Sequence, residues 1–109
     1  GYFEILFETE FSKVKILSVD PGQMLSMQMH EHRSETWYVT QGIATVTKGD
    51  ITLELYAGES VVIDQKEKHR LQNFGNEVLE IIEIQTGTYF GEDDIVRLED
   101  DYGREGTNG

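Results

Sequence analysis

Residues 22–42 read GQMLSMQMHEHRSETWYVTQG and contain the polar residues that decide the fold. Two of the chain's 3 histidines, His30 and His32, stand two positions apart within a segment that predicts a β-strand. Side chains alternate between the two faces of a strand, so both imidazoles would share one face with Gln28. Glu35 follows a short polar break. The alternation of side chains cannot be counted across this break, so the Glu35 side chain can still point to the face that carries the imidazoles.

Outward from this stretch, the hydrophobic pattern has a period of two along most of the chain. Residues 43–55 predict a hairpin with a short glycine-containing loop. Further strands are predicted at 14–19, 25–32, 35–40, 61–63, 69–74 and 78–85, and no segment before residue 90 predicts a helix. Short strands with turn signals about every 8–12 residues favour an all-β sandwich or barrel.

Size and composition limit the possible functions. The 109 residues suffice for one domain. The 9 basic and 21 acidic side chains give a formal net charge of −12, which argues against nucleic-acid binding. The absence of cysteine excludes disulfides and thiol chemistry and fits a reducing, cytoplasmic compartment. No membrane-spanning run or signal-peptide pattern is present, and the start at Gly1 predicts that the natural N-terminus lies upstream or was trimmed.

The histidine stretch resembles the first motif of the cupins: Gly, five residues, His, one residue, His, three or four residues, Glu, six residues, Gly. Two registers compete for it. With His30 and His32 as the pair, the spacings to the preceding Gly and the following Glu are both wrong. With Gln28 and His30 as the pair, every spacing over residues 22–42 fits, and the one departure is Gln in place of the first His.

The second cupin motif is matched from Gly58 onward. His69 and Asn73 stand at its His and Asn positions, whereas Asp64 and Lys66 replace a Pro and a Gly that shape a turn. The resemblance implies a cupin double-stranded β-helix, which is a jelly-roll barrel. It also implies a metal site made of Gln28, His30, Glu35 and His69.

The implied ligand set consists of one amide oxygen, two imidazoles and one carboxylate. Such donors suit a divalent cation that keeps an open position for substrate. The metal sites of iron oxygenases in the superfamily typically resemble a set of three His and one Glu. The Gln amide in place of one imidazole therefore favours Zn²⁺, or alternatively Mn²⁺ or Co²⁺, acting as a Lewis acid. The alternative is a cupin pocket that has lost its metal, with these side chains only hydrogen-bonded.

Two longer runs, residues 25–37 and 91–104, are similar to the type II mannose-6-phosphate isomerases. In that family the isomerase domain often follows a GDP-mannose pyrophosphorylase domain. Residues 68–71 and 80–85 resemble the second motif and the closing strand of the same family. Because the resemblance extends from Gly1 to Arg104, we expect residues 1–104 to form a single cupin domain and residues 105–109 a flexible tail.

The resemblance implies a metal-dependent aldose–ketose isomerase that interconverts mannose 6-phosphate and fructose 6-phosphate through an enediol. A metal on the sugar oxygens would stabilise the developing oxyanion, and a positioned base would move the proton between C1 and C2. His32 is the preferred base because it adjoins the ligands and an imidazole titrates near neutral pH. His32 could alternatively hydrogen-bond to a metal ligand or to the substrate. Glu83 is the second candidate base.

The substrate phosphate requires cationic side chains. We expect them to come from Arg33, Lys68, Arg70 and Arg97. Arg33 is the strongest candidate, since a guanidinium can bind phosphate with two hydrogen bonds. Strand alternation places Arg70 opposite His69, which counts against it, and an exposed basic turn is the alternative interpretation of residues 66–70.

Rival functions remain open. One is a non-enzymatic sugar- or ligand-binding cupin, and Thr36, where the family often has His, favours it slightly. Another is a different phosphosugar isomerase or epimerase, whereas Gln28 disfavours a dioxygenase. We expect a homodimer, because cupins resemble one another in pairing through edge strands. We expect no nucleic-acid partner and no membrane partner.

Overall fold

The computed structural model of the chain describes residues 1–87 and the backbone of residues 95–99. Within these ranges all regular secondary structure is β-strand, and no helix there could span a membrane. The strands are β1 (Tyr2–Glu8), β2 (Ser12–Val19), β3 (Met27–His30), β4 (Arg33–Gln41), β5 (Ala44–Lys48), β6 (Ile51–Leu55), β7 (Ser60–Ile63), β8 (His69–Gln72), β9 (Leu79–Gly87) and β10 (Ile95–Glu99).

The strands form two antiparallel sheets of five strands each. The first sheet has the order β1-β2-β9-β4-β7, and the second has the order β10-β3-β8-β5-β6. Most neighbours within a sheet are distant in sequence, so each sheet combines early and late segments of the chain. The all-β jelly roll predicted from the sequence is confirmed.

The inner faces of the two sheets have an apolar end and a polar end. Alternate residues of β4 and β9 are buried, as the period-two pattern requires. At one end the buried side chains are apolar, and Val39 and Ile81 pack there with Val46 and Leu71 of the second sheet. At the other end the same alternation buries polar side chains, namely Arg33, Glu35, Glu83 and Gln85.

One predicted strand is shorter in the structure, one observed strand was not predicted, and one predicted domain boundary cannot be compared with the described residues. The strand predicted at 25–32 is shorter, because β3 ends at His30 and Glu31 and His32 form the bend before β4. Strand β1 was not predicted, since its apolar side chains do not alternate with polar ones and all its residues are exposed. The predicted boundary between residues 104 and 105 lies outside the described residues.

Gly87 sets the approach of β9 to the bend between β3 and β4. It pairs with Arg33, and a Cβ atom at position 87 would lie 2.3 Å from the His32 carbonyl oxygen and 2.8 Å from Arg33 Cα. Any larger residue would therefore displace the backbone there. The glycine thus permits the close approach of β9 to the bend that separates His30 from Glu35.

Asn73, at the last position of the second motif, joins three backbone segments. Its side chain is fully buried, donates hydrogen bonds to the Val19 and Glu77 carbonyl oxygens at 2.8 and 2.9 Å, and accepts one from Gly75 N at 2.9 Å. Burial of backbone polar groups without partners is costly. The motif asparagine is therefore a structural residue.

We predict that Asn73→Ala lowers the free energy of unfolding by about 2–3 kcal/mol, because it leaves these buried backbone groups without partners. Urea unfolding measures the change. The exposed neighbour Asn76 provides the control, since Asn76→Ala should change stability by less than about 0.5 kcal/mol. Equal midpoints for the two variants would contradict the assigned role of Asn73.

Candidate metal centre and substrate cavity

Three potential metal ligands meet at the polar end of the molecule. His30 ends β3, Glu35 lies near the start of β4, and His69 begins β8. Their candidate ligand atoms all lie within 4.8 Å of one another, and each residue is no more than 3% exposed. Ligand atoms about 2.1 Å from one ion are roughly 3–4 Å apart, so a small closing movement would produce a metal site.

The second sheet supplies both imidazoles, and the first sheet supplies the carboxylate. Gln28 of β3 stands directly opposite His69 of β8, so these two side chains share a face. Gln28 is half-buried, lines the cavity, and donates a hydrogen bond from Nε2 to Ser26 Oγ at 3.2 Å. Its ligand role stays a prediction, and the structure places it beside the three clustered residues.

His69 is prepared to act as a neutral ligand. Its Nδ1 lies 3.0 Å from the Glu67 carbonyl oxygen, which can only accept, so Nδ1 carries the proton and the Nε2 lone pair is left for a cation. Burial lowers the pKa of His69, against the opposing charge of Glu35. An imidazole that stays neutral at physiological pH is the form that binds metal.

Glu35 is held as a buried carboxylate. Its Oε2 lies 3.2 Å from His30 Nε2 and accepts a hydrogen bond from Arg33 Nε at 3.1 Å. Burial alone would raise the pKa of Glu35, but the hydrogen bond and charge of His30, with the charges of His69 and Arg33, lower it to about 2. The site therefore presents a full negative charge to a cation.

The described residues fit a divalent cation on two observations. The donor set combines two imidazole nitrogens with one ionised carboxylate oxygen, which suits Zn²⁺ and its neighbours in the first transition row. In addition, His30 Nδ1 is buried without a hydrogen-bond partner in the described part of the chain. Buried polar atoms are normally paired, so the His30 ring is not fully satisfied by the protein alone.

A second carboxylate lies beside the first. Trp37 Nε1 is 3.0 Å from both Glu35 Oε1 and Glu83 Oε1, and the indole N–H is shared between them. Gln85 Nε2 donates to the other oxygen of Glu83 at 2.7 Å. Burial raises the pKa of Glu83 to about 8, and the adjacent Glu35 carboxylate adds to the shift.

These residues line one cavity of about 190 Å³ that opens at the polar end. The lining residues include His30, Glu35, Trp37, His69 and Glu83. A small polar ligand placed there would contact both carboxylates and both imidazoles. The cavity is therefore the candidate active site.

His32 does not lie where the sequence analysis expected it. The expectation that it continues the strand of His30 is wrong, because β3 ends one residue after Met29 and the chain bends at positions 31 and 32. His32 is exposed and is absent from the described residues that line the cavity. Of the two candidate bases, Glu83 is the one inside the cavity.

The four predicted phosphate ligands have different surroundings. Arg33 is 3% exposed and contacts Glu35 and His30, the latter at 3.3 Å between Nη2 and Nε2. Arg70 lines the cavity even though strand alternation counted against it, whereas Lys68 is exposed and does not appear among the described lining residues. The backbone of Arg97 pairs with Gln28, and its side chain lies outside the described residues.

Sequence reasoning missed Lys15. This residue of β2 is 5% exposed and lines the same cavity. The predicted strand at 14–19 did not show which of its two faces is buried. In fact Lys15 and Val19 are the buried positions of β2. The sequence did offer an indication: Val19, an apolar residue just before the turn at Pro21, lies on the same face of the strand as Lys15.

Solved structures with this fold come from several organisms. An uncharacterized conserved protein with a double-stranded β-helix domain from Klebsiella pneumoniae has a TM-score of 0.77 and 26% sequence identity, over 87% of this chain and 76% of that chain. The cupin domain of Schizosaccharomyces pombe Cnp3 has a TM-score of 0.76 and 16% identity, over 78% of this chain and 63% of that chain. The latter likeness bears on the fold alone.

Curated relatives are much longer than this chain. Xanthan biosynthesis protein XanB of Xanthomonas campestris pv. campestris is 53% identical over 92 residues, which are 84% of this chain and 20% of that protein. Alginate biosynthesis protein AlgA of Pseudomonas aeruginosa is 53% identical over 84% of this chain and 19% of that protein. The mannose-1-phosphate guanylyltransferase RfbM of Salmonella typhimurium is 43% identical over 91% of this chain and 21% of that protein.

The chain thus spans about a fifth of the length of these relatives. The family model described as the mannose-6-phosphate isomerase C-terminal region matches residues 1–100, which includes every described residue of the cavity. The family resemblance drawn from the longer runs of sequence is therefore confirmed: the chain belongs to the mannose-6-phosphate isomerase C-terminal family.

Proposed function

We propose that this domain interconverts mannose 6-phosphate and fructose 6-phosphate in a metal-dependent reaction. The observation that carries the proposal is the buried cluster of His30, Glu35 and His69, which lies in a cavity of a chain from this family. Because the chain covers only a fifth of the named relatives, the reaction is a proposal for this domain. A cytoplasmic location and a homodimer stay predictions.

Gln28, His30, Glu35 and His69 would hold the metal, with Zn²⁺ as the preferred ion and Mn²⁺ or Co²⁺ as alternatives. When bound, the ion supplies Lewis-acid stabilisation of the negative charge that develops on the sugar oxygens. The protein holds these residues at the ends of strands, where hydrogen bonds fix His69 and Glu35 before any ligand arrives. Such preorganisation is the usual source of electrostatic stabilisation.

We assign proton transfer between C1 and C2 to Glu83 rather than His32. Glu83 lies in the cavity, and Trp37 and Gln85 fix one oxygen each of its carboxyl group. A carboxylate with a pKa near 8 is a stronger base than an ordinary one, which suits removal of a weakly acidic proton. A single base on one face of the sugar can serve both directions of the transfer.

Arg33 is better placed to hold Glu35 than to reach a phosphate. Its guanidinium contacts Glu35 and His30, and the residue is almost fully buried. Arg70 keeps its proposed contact with the substrate because it lines the cavity. The roles of Lys68 and Arg97 stay predictions.

The direct test incubates the metal-loaded protein with mannose 6-phosphate and measures fructose 6-phosphate. We expect turnover that chelation abolishes and that Zn²⁺, Mn²⁺ or Co²⁺ restores. Absence of turnover with all three ions would favour the non-enzymatic sugar-binding alternative. Turnover that survives chelation would contradict the metal dependence.

Glu35→Gln should strongly reduce bound metal, because it removes the ionised ligand while keeping the shape of the side chain. Elemental analysis of purified protein should fall from about one ion per chain to a small fraction of that value. Glu31→Gln, an exposed carboxylate beside His30, is the matched control and should keep its metal. An unchanged ratio in Glu35→Gln would remove Glu35 from the ligand set.

Glu83→Gln should lower the isomerisation kcat by roughly 10²–10⁴-fold, the usual contribution of a general base. The same change should stabilise the metal-free protein at alkaline pH. The pKa of Glu83 is about 8 in the fold and 4.5 when unperturbed, so between these pH values unfolding releases a proton that the native state holds. The free energy of unfolding therefore falls by up to about 1.4 kcal/mol per pH unit, and the glutamine removes that decline.

Urea unfolding at several pH values between 4.5 and 8 measures this slope. Glu80→Gln, a half-buried position of β9 on the opposite face, is the control and should retain the wild-type decline. A Glu83→Gln enzyme with wild-type kcat would exclude Glu83 as the base. A decline that persists in that variant would contradict the raised pKa.

A further inference from the structure

Lys15 is a buried cation in the candidate active site. It occupies the middle of β2, is 5% exposed, and lines the cavity that contains His30 and Glu35. Lysine is rarely buried, because desolvation of an ammonium group is costly unless a negative group compensates for it. The Glu83 carboxyl lies directly across the sheet from Lys15, and although burial raises the pKa of Glu83, the charge of Lys15 opposes that rise.

The surroundings of Lys15 fix its direction. Its Nζ lies 4.6 Å from the centre of the Phe3 ring, within the range of a cation–π interaction. Across the sheet it pairs directly with Glu83, and directly opposed residues of antiparallel strands point to the same face. The ammonium group is thereby directed to the inner face of the sheet and not to solvent.

Lys15 stands at a distance from the metal ligands. Glu83 pairs with Lys15 on one side and with Trp37 on the other, so β2, β9 and β4 follow one another across the sheet. Neighbouring strands are roughly 4.8 Å apart, which places the backbone of Lys15 about 10 Å from β4, the strand of Glu35. The cavity is therefore lined by the strands that carry the metal ligands and, two strands away from β4, by the strand that carries Lys15.

The other cationic side chains that line the cavity come from strands that also carry metal ligands. In the described part of the chain, Lys15, Arg33 and Arg70 are the cationic lining residues apart from the histidines. Arg33 contacts Glu35 and His30, and Arg70 directly follows His69 in β8, so both belong to strands that carry metal ligands. Lys15 alone of the three comes from β2.

We propose that Lys15 binds the phosphate group of the sugar phosphate, an inference that rests on the proposed function and names the substrate contact of the same site. The reacting carbons of a hexose 6-phosphate and its phosphate stand at opposite ends of the carbon chain. A substrate with its reacting end at His30, Glu35 and His69 then extends across Glu83 toward β2. A lysine ammonium is a suitable point charge for a phosphate at that end.

The test measures binding and not turnover. Isothermal titration calorimetry of the metal-loaded chain uses glucitol 6-phosphate, which cannot isomerise, and neutral glucitol. We expect Lys15→Met to weaken glucitol 6-phosphate binding by about 10- to 100-fold, as for loss of one charge-assisted hydrogen bond, and to leave glucitol binding unchanged. Lys15→Arg should recover most of the affinity because it restores the charge.

Lys13→Met is the matched control. Lys13 lies on the same strand and face, two residues away, pairs with Gln85, and does not appear among the described residues that line the cavity. The control should bind glucitol 6-phosphate as the wild type does. Lys15→Gln repeats the test with a polar side chain in case the methionine variant does not fold. The metal content of each variant verifies that the cluster of His30, Glu35 and His69 is intact.

The outcomes separate this inference from the proposed function. Wild-type affinity for glucitol 6-phosphate in Lys15→Met or Lys15→Gln overturns the assignment of Lys15, whatever the enzyme's activity. A wild-type protein that binds glucitol 6-phosphate through Lys15 but does not isomerise mannose 6-phosphate overturns the proposed reaction and supports the assignment. Equal losses of affinity for the phosphorylated and the neutral ligand would indicate a general packing role of Lys15 and would also overturn its assignment as the phosphate contact.

Discussion

Burial of an ionised carboxylate at Glu35 is the constraint on which the polar end of the molecule depends. A charge with 2% exposure is destabilising unless its surroundings compensate for lost hydration. The compensation comes from Arg33, His30 and the Trp37 indole, which contact its two oxygens. These groups come from the end of β3 and from β4 itself, so the local chain path and the charge of the site are set together.

The indole of Trp37 makes two neighbouring carboxyl groups different. Both lie 3.0 Å from the same N–H, yet Glu35 has its pKa lowered to about 2 and Glu83 has its pKa raised to about 8. The difference follows from their other neighbours, because Arg33 and His30 contact Glu35 whereas Glu83 is buried next to a charged carboxylate. Two carboxyl groups with separated pKa values can divide the tasks of binding a cation and carrying a proton.

The sequence predicted the fold and most of the cavity because both depend on spacing. Period-two alternation and turn residues give β4 and β9 directly, and motif spacing selected Gln28 and His30 over the more visible pair of histidines. His32 was misplaced because a bend can begin within an apparently continuous strand pattern. Lys15 was missed because alternation shows which residues share a face but does not say which face is buried.

The last described strand has a consequence for the order in which the site can form. Strand β10 pairs with β3, whose residues include Gln28 and His30, and β3 has only β8 as its other hydrogen-bonded neighbour in the second sheet. During synthesis from the N-terminus, β3 would emerge early and expose one backbone edge until residues 95–99 arrive. Metal capture would then follow the pairing of residues 95–99 with β3, the strand that carries Gln28 and His30.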